Sequence, residues 1–505
     1  MSVEISKEFI EEGIIKALLR VVESHPDKIA VADIKVELSF KEFWVSICNI
    51  AKVLQKKGLK ERDRIAFSLP NCVDLLCLHF AILRIGAISV PIESKAPIPS
   101  IIKIAAICEP ALIVIEDNHS DEEILLNYNI LNISDLLSEA AITENALLPL
   151  LKVHAESSLS SIMFTSGSTG TPRGVKLTHK NNLAAIRNII TYCGYSKDDF
   201  EVITLPLSHS FGLGQVYAML LSGGGVFVIH GMLKIKAIVN ALKRYEATGF
   251  PTTPAGVDLI LNRYFEAFQE NGRALRNIVV NSAPLMPSQT EKLQELFPSI
   301  TIYVYYGLTE ASRSCFWNLT EGGPNFYTSV GPPMQGVQVS IESNSSEILI
   351  SGETVSSGYW PDDDHNLDTS GSPIISTGDI GYFDVFGNLY ISGRIKDQIN
   401  IGGYKVSPLE IENFLKNRFL IPGVAVFGSK TIEGKEQIVC FIENLEGLGI
   451  DETLLRAAIK DELAFYKVPS VFIGVEKIPT IINGKIDRSR LHELYQNITQ
   501  ILNEG

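Results

Sequence analysis

The sequence predicts an α/β protein: a large N-terminal domain of stacked, mostly parallel sheets with helices, followed by a small C-terminal α+β domain. Three observations lead there. Short apolar runs recur at 64–68, 88–92, 111–115, 161–164, 202–205, 226–230, 278–280 and 302–304, with helical spacing between several of them. Several runs end in loops of Gly, Ser, Thr, Asn and Pro, as strands do where open α/β sheets bind ligands. From residue 393 the chain turns highly polar, and the last 110 or so residues alternate strands with amphipathic helices, enough for a small separate domain.

At 505 residues the chain is too long for a single core. With 44 basic and 58 acidic side chains the net charge is −14, which argues against a nucleic-acid partner bound through a basic surface. Seven cysteines are scattered with no C-x-x-C pair, as expected of reduced thiols in a cytoplasmic protein rather than a disulfide framework or zinc site. The acidic N-terminus lacks the apolar core of a signal peptide. Residues 72–92 are the most membrane-like stretch, but Asp74, His79, Arg84, Gly86 and Pro91 interrupt it. It reads as a helix followed by a buried strand, and no integral membrane segment is expected.

Taken in order, residues 9–24 have helical spacing and stop at His25-Pro26-Asp27. Strands at 29–32 and 36–39 precede a long helix over 40–57. Strand 64–68 ends at Leu69-Pro70-Asn71, a helix covers 73–84, and strands follow at 88–92 and 111–115. Residues 117–157 read as polar and irregular. Beyond 176 come a helix over 181–192, strand 202–205 with exit Pro206 to Gly212, and a helix ending at Gly223-Gly224-Gly225. Strand 226–230 follows, then 278–280, with exit Asn281-Ser282-Ala283-Pro284, and 302–304. The exits at 165, 206 and 281 point to one shared cleft.

The stretch 161–176, SIMFTSGSTGTPRGVK, organises the rest. An apolar strand runs into Thr165, Ser166, Gly167, Ser168, Thr169, Gly170, Thr171, Pro172, Arg173 and Gly174, and Lys176 follows the next apolar step. Glycines let backbone N–H groups approach an anion, hydroxyls donate, and Arg173 adds charge, so the loop suits a polyphosphate. The G-x-x-x-x-G-K-[ST] spacing of the P-loop is absent. After 302–304, Tyr305, Tyr306, Gly307, Leu308, Thr309 and Glu310 combine an aromatic face, a close-approach glycine, a hydroxyl and a carboxylate. They could stack a base, bond a phosphate and hold a hard cation. Read alone, the stretch fits a strand followed by a helix capped by Thr309 equally well. In Ser376 to Tyr382, Asp379 could accept both ribose hydroxyls, or could simply sit in a turn before a hairpin at 386–388. His209, beside an aromatic at a strand exit, reads by itself as structural, and Lys485, in the turn Asn483 to Arg488, as a solvated lysine.

Together these stretches resemble the adenylate-forming superfamily of acyl-CoA synthetases, peptide-synthetase adenylation domains and firefly-type luciferases. The resemblance runs from the His25 region to Arg488. It rests on five motifs in the family's order: TSGSTGTPRG at 165–174, YYGLTE at 305–310, STGDIG at 376–381, GRIKDQINIGGYKVSPLEIE at 393–412 and NGKIDR at 483–488. It implies that a carboxylate attacks the α-phosphate of MgATP, releasing pyrophosphate, and that a thiol then takes the acyl group. The implied cofactors are ATP, Mg2+ and CoA, or a phosphopantetheinyl carrier protein. By the same resemblance, 165–176 holds the β,γ-phosphates, and Tyr306 stacks adenine with the loop Asn281 to Pro284 (Ser282, Ala283) opposite. Thr309 bonds the α-phosphate, Glu310 holds Mg2+, Asp379 and Arg394 bind ribose, and Lys485 stabilises the developing charge. Domain 1–393, hinge 394–397 with Lys396, and domain 398–505 follow. The small domain is implied to be mobile, alternately presenting Lys485 and the thiol-tunnel residues Gly402, Gly403 and Tyr404.

The sequence also departs from the family. Arg173 stands where lysine is usual, and Asn-Ser-Ala-Pro replaces Gly-Gly-Ala-Pro in the adenine loop. His209-Ser210 replaces the Phe-Asp pair of α-amino-acid activators, so an ammonium would lack its counter-ion. His209 is therefore placed as a gate or wall of the acid pocket, with 208–214, 252–256, 281–283 and 305–307 as its lining. No carrier segment follows Arg488, so a carrier protein is expected in trans. The expected activity is an acid–thiol ligase, CoA being favoured over a carrier. The alternatives are a luciferase-like oxidation and a non-catalytic nucleotide-binding protein.

Overall fold

The structure is a computed structural model and describes residues 7–94, 96–116, 128–143, 155, 157–166, 172–282, 285–322, 328–361, 366–367, 373–402, 404–431, 436–480 and 486–504. Its large lobe is built on two sheets that clasp helices between them. The seven-stranded sheet has Arg64–Ser68, Ile88–Ile92, Leu112–Ile115 and Ile130–Asn132 in parallel, then Leu159–Ser166, Pro172–Thr178 and Tyr359–Trp360 at one side. The second sheet pairs Ile29–Ala32, Phe200–Ile203 and Gly225–Val228 in parallel. Bridges through Gly249 and Thr252 join it to Asn277–Val280 and Thr301–Tyr306. Strands with both faces covered should be continuously apolar. Phe200–Ile203, Gly225–Val228 and Asn277–Val280 are buried at every residue.

The helices Phe40–Lys56, Val73–Arg84, His179–Cys193 and Ser210–Leu221 fill the space between the sheets in one hydrophobic cluster. Phe40–Lys56 begins with a reciprocal cap between Ser39 and Glu42, and His179–Cys193 with one between Thr178 and Asn181, satisfying otherwise orphaned N–H groups. The membrane-like stretch is the buried helix Val73–Arg84 followed by the buried strand Ile88–Ile92. Its polar groups have internal partners: the His79 ring nitrogens meet the Ser89 hydroxyl at 2.7 Å and the Tyr217 hydroxyl at 2.5 Å, and Arg84 lies over the Trp44 ring. Burial pulls His79 down to about 3, so it is neutral. Among the described residues, no helix is long and apolar enough to cross a membrane.

Glu201 is another fully buried polar residue, accepting from Tyr195 Oη and Gln215 Nε2. Burial pushes its carboxyl up to about 8 against the Tyr195 hydrogen bond. The folded chain thus keeps a proton that the unfolded chain releases near pH 4.3. Its contribution to stability is full below that value and is lost as pH rises through about 8. Glu201→Gln has no such proton to lose. Its urea midpoint relative to wild type is expected to climb between pH 5 and pH 9; a pH-independent difference would contradict the assignment.

Two expectations are corrected. The stretch 117–157 is not wholly irregular: it contains the strand Ile130–Asn132, an edge of the first sheet, and the helix Ile133–Ala141. Residues 376–382 are not a turn but lie inside the long strand Pro373–Phe383 of an antiparallel six-stranded sheet. Gly378, at φ 71°, and a register shift between Ile380 and Gly381 mark local breaks in that strand.

Beyond residue 399 the apolar residues form two further clusters that contain no residue of the large lobe. The last apolar residue packed on the preceding cluster is Ile391. Between them lies a single 3₁₀ turn, Ile395–Asp397. The small lobe is a three-stranded sheet, Val424–Lys430, Glu436–Glu443 and Val471–Val475, packed by Pro408–Phe419, Glu452–Glu462 and Arg488–Glu504.

Candidate active site

The exits of the two sheets meet. Asn71, just past Arg64–Ser68, donates to the carbonyls of Leu205 (2.7 Å) and Ile229 (3.1 Å) and accepts from Leu207 N–H. Glu93, just past Ile88–Ile92, accepts a hydrogen bond from Ser208 Oγ at 2.9 Å. One amide and one carboxylate thus fasten the strand exits of one sheet to those of the other.

At this junction Leu159–Ser166 and Pro172–Thr178 form an antiparallel hairpin that sets Thr165 opposite Arg173. A Cβ at Gly174 would meet Ile162 Cγ2 at 2.8 Å, so close packing requires glycine there. Gly167, Ser168, Thr169, Gly170 and Thr171 lie outside the described residues, as do Ala283, Pro284, Gly403 and Lys485. The outer edge of the hairpin is taken by Tyr359–Trp360, with Tyr359 opposite Val175. Lys176 N–H donates to Gly358 C=O and Ser357 N–H to Lys176 C=O. The Arg173 guanidinium sits 3.8 Å from the Tyr359 ring centroid, and Tyr359 Oη donates to Glu310 Oε1 at 3.0 Å. Tyr359 therefore links the cation of the glycine-rich hairpin to the carboxylate of the 305–310 stretch.

That stretch is not followed by a helix. Leu308 and Ala311 exchange backbone hydrogen bonds in a tight turn, and the chain returns as Cys315–Asn318. Thr309 is therefore not a cap, but part of a partly exposed rim with Gly307 and Glu310. A Cβ at Gly307 would fall 2.6 Å from Arg313 N and 2.8 Å from Ala311 O, so the turn closes only over glycine. Tyr305 and Tyr306 belong to the strand itself and are 6% and 9% exposed. Tyr306 Oη donates to Asp379 Oδ2 at 2.8 Å, and Arg394 Nε donates to Oδ1 at 2.5 Å. Burial, and then the Asp379 charge, raise the Tyr306 hydroxyl far above its ordinary value, so it stays a donor.

Asn281 Nδ2 donates to Tyr305 C=O at 2.7 Å, holding the 281–282 loop beside the same strand end. Ser282 has φ 90°, a left-handed conformation that favours glycine, at a position where the sequence departs from the Gly-Gly-Ala-Pro pattern. Relief of strain by Ser282→Gly is expected to stabilise the protein by about 1 kcal/mol in urea unfolding. Unchanged or lower stability would show that the serine conformation is not strained.

His209 is the N-cap residue of Ser210–Leu221, its side chain half exposed and its Nε2 4.0 Å from Glu93 Oε2. Lys396 lies in the 3₁₀ turn, exposed. Gly402 and Tyr404 belong to a small-lobe hairpin of Ile399–Ile401 and Tyr404–Val406, where Tyr404 stacks on Tyr466 at 4.3 Å. The structure thus gathers Thr165, Arg173, Glu310, Tyr306, Asp379, Arg394, Ser282 and His209 around the junction, while the packing of Tyr404 is internal to the small lobe. Sequence reasoning missed Tyr359 and Glu93. The only signal for Tyr359 was the short aromatic step Tyr359-Trp360 after Ser357-Gly358.

Residues 18–360 match the AMP-binding enzyme family, and the chain belongs to it. Its relatives are CoA ligases. The chain is 28% identical over 461 residues to the oxalate–CoA ligase of Arabidopsis thaliana, covering 87% of this chain and 89% of that one. It is 26% identical over 489 residues to the 2-succinylbenzoate–CoA ligase of Bacillus velezensis, covering 94% and 97%. The fold matches ATP-bound MatB from Rhodopseudomonas palustris with TM-score 0.85 at 23% identity, over 97% of this chain and 99% of that one. It also matches the o-succinylbenzoate CoA synthetase MenE from Bacillus subtilis in complex with its acyl-adenylate intermediate, with TM-score 0.80 at 20% identity over 94% and 97%.

Proposed function

We propose that this enzyme converts a carboxylic acid and ATP to an acyl-adenylate with release of pyrophosphate, then transfers the acyl group to the thiol of CoA. The observation that carries the reading is the pair of linked contacts at the joined strand exits, Arg173–Tyr359–Glu310 and Tyr306–Asp379–Arg394. The first sets a cation and a carboxylate where a triphosphate and its metal would meet. The second sets a carboxylate with spare acceptor sites beside a tyrosine, as a ribose would require.

The donor set suits Mg2+. Among the described residues no cluster of three or more His, Cys, Asp or Glu forms a metal site, and Mg2+ bound with a nucleotide needs only one or two protein carboxylates. Glu310 would hold it, and Mg2+ would neutralise phosphate charge when bound. The hairpin 165–176 would grip the β,γ-phosphates. Tyr306 would pack against adenine, with Ser282 and its neighbours opposite, and Thr309 would bond the α-phosphate. Both reactants are anions, so catalysis amounts to screening charge and fixing the attack line. A carboxylate oxygen bonds the α-phosphorus, the α–β bridging bond breaks, and pyrophosphate leaves. Lys485 would meet the charge shared between acid and phosphate.

The thiolate then attacks the acyl carbon and AMP departs. Residues 394–397 are read as a hinge between domains 1–393 and 398–505, with Lys396 at the pivot and Gly402, Gly403 and Tyr404 guiding the thiol. The separation of apolar clusters on either side of the 3₁₀ turn supports that division. The seven free cysteines support a reducing, cytoplasmic setting.

The test is acid-dependent exchange of labelled pyrophosphate into ATP across a panel of acids, followed by thioester formation with CoA or with a phosphopantetheinylated carrier protein. Exchange plus acyl-CoA is the expected result. Thioester only on the carrier would replace CoA as acceptor, and no exchange with any acid would favour a non-catalytic nucleotide-binding protein.

A further inference from the structure

Tyr359 offers a different part of itself to each of two opposite charges. Arg173 Cζ lies 3.8 Å from its ring centroid, and its hydroxyl donates to Glu310 Oε1 at 3.0 Å. Arg173 is exposed, and Tyr359 and Glu310 are partly exposed, so the three stand at the surface of the junction rather than in its core.

The backbone that carries Tyr359 is fastened from several sides. Asn181 Nδ2 donates to the carbonyls of Glu353 (3.0 Å) and Val355 (2.7 Å). Val355 bridges to Ala311, and Ser356 N–H donates to Glu310 C=O at 2.8 Å. Ser357 and Gly358 share backbone hydrogen bonds with Lys176. Beyond the tyrosine, Trp360 Nε1 donates to Ile107 C=O at 3.1 Å, and the Arg64 guanidinium lies 5.5 Å from the Trp360 ring centroid. Residues 353–360 are therefore a strap, bonded on one side to the turn that carries Glu310 and on the other to the hairpin that carries Arg173. A side chain mounted in this way fixes what it touches. A hydrogen bond to one carboxylate oxygen sets the rotation of the group and leaves the other oxygen for a cation, as outer partners of metal ligands do. A ring face against a guanidinium holds the cation at the edge of the hairpin.

We propose that Tyr359 is a positioning residue for the metal and phosphates of the nucleotide: its hydroxyl turns Glu310 towards Mg2+, and its ring seats Arg173 against the β,γ-phosphates. This deepens the adenylation reading and rests on it. Because the hydroxyl serves the metal and the ring serves the phosphates, substitution separates the two roles.

The experiment titrates wild type, Tyr359→Phe and Tyr359→Leu calorimetrically with AMP, with ATP in excess EDTA and with MgATP, in the absence of any acid so that no ATP is consumed. Wild type is expected to bind MgATP more tightly than metal-free ATP. Tyr359→Phe keeps the ring and should weaken MgATP binding by roughly 10- to 100-fold, the usual loss when the partner of a metal ligand is removed, with metal-free ATP unmoved. Tyr359→Leu loses the ring as well and should also weaken metal-free ATP, by roughly 2- to 30-fold. AMP has neither a β- nor a γ-phosphate and should bind all three proteins alike. A tyrosine that serves only packing would move AMP and both forms of ATP together. That result overturns the proposal, as does unchanged MgATP binding in Tyr359→Phe or unchanged metal-free ATP binding in Tyr359→Leu. Wild type that binds metal-free ATP as tightly as MgATP overturns it whether or not the variants fold. Absence of acid-dependent pyrophosphate exchange in wild type, measured alongside, would instead overturn the adenylation reading itself.

Discussion

Lys485→Ala is expected to lower acid-dependent pyrophosphate exchange by roughly 100- to 1,000-fold, the usual loss when one donor to a developing oxyanion is removed. Thioester formation from a supplied acyl-adenylate and CoA should persist at near wild-type rate. The asymmetry follows from the chemistry: only the first half-reaction brings two anions together, so only it needs a cation between them. A compact ammonium on a flexible stem suits a group that must be delivered and withdrawn. Equal losses in both halves would contradict the assignment and point to a general structural role for Lys485.

The second large effect is expected at Asp379. Its two oxygens accept from Tyr306 and Arg394, and the residue is only 6% exposed. A carboxylate has about four acceptor sites, so the two already in use leave others for a ribose. Asp379→Ala should raise the ATP KM at least roughly tenfold, the value of one hydrogen bond to a charged group. It should also lower stability by about 1–3 kcal/mol, since a buried hydroxyl and a half-exposed guanidinium lose their partner together. Asp379→Asn keeps an acceptor for Tyr306 and should recover part of the stability while sharing the ATP defect. An unchanged ATP KM in the alanine variant would remove Asp379 from the nucleotide site.

The fold and the candidate site were legible in the sequence to different depths. Continuous apolar runs such as 278–280 and 226–230 announced strands covered on both faces, because burial on two sides leaves no room for alternation. Gly174 and Gly307 were visible as special positions, and the structure supplies the reason in the atoms a Cβ would strike. The six-stranded antiparallel sheet was legible only at the hairpin around Gly387, since strands such as Val337–Ile341 and Glu347–Gly352 are half-exposed and mixed in pattern. Read alone, Thr309 left the helix cap open as an alternative, because a hydroxyl near a glycine suits a cap or a tight turn alike. Tyr359 and Glu93 were hidden for another reason. Their importance lies in what they touch, Arg173 and Glu310 for the first, Ser208 for the second. Those partners are far away in the chain, and local composition carries no trace of such distances.

The pairing of Tyr359–Trp360 with the outer edge of Pro172–Thr178 has a consequence for synthesis. As the chain leaves the ribosome, the glycine-rich hairpin is complete long before the segment that flanks it exists, so a naked strand edge must wait through the translation of every strand of the second sheet but its first. A nascent chain halted before residue 359 should therefore be a client for chaperones and proteases, and nucleotide binding should switch on only once that late segment has emerged.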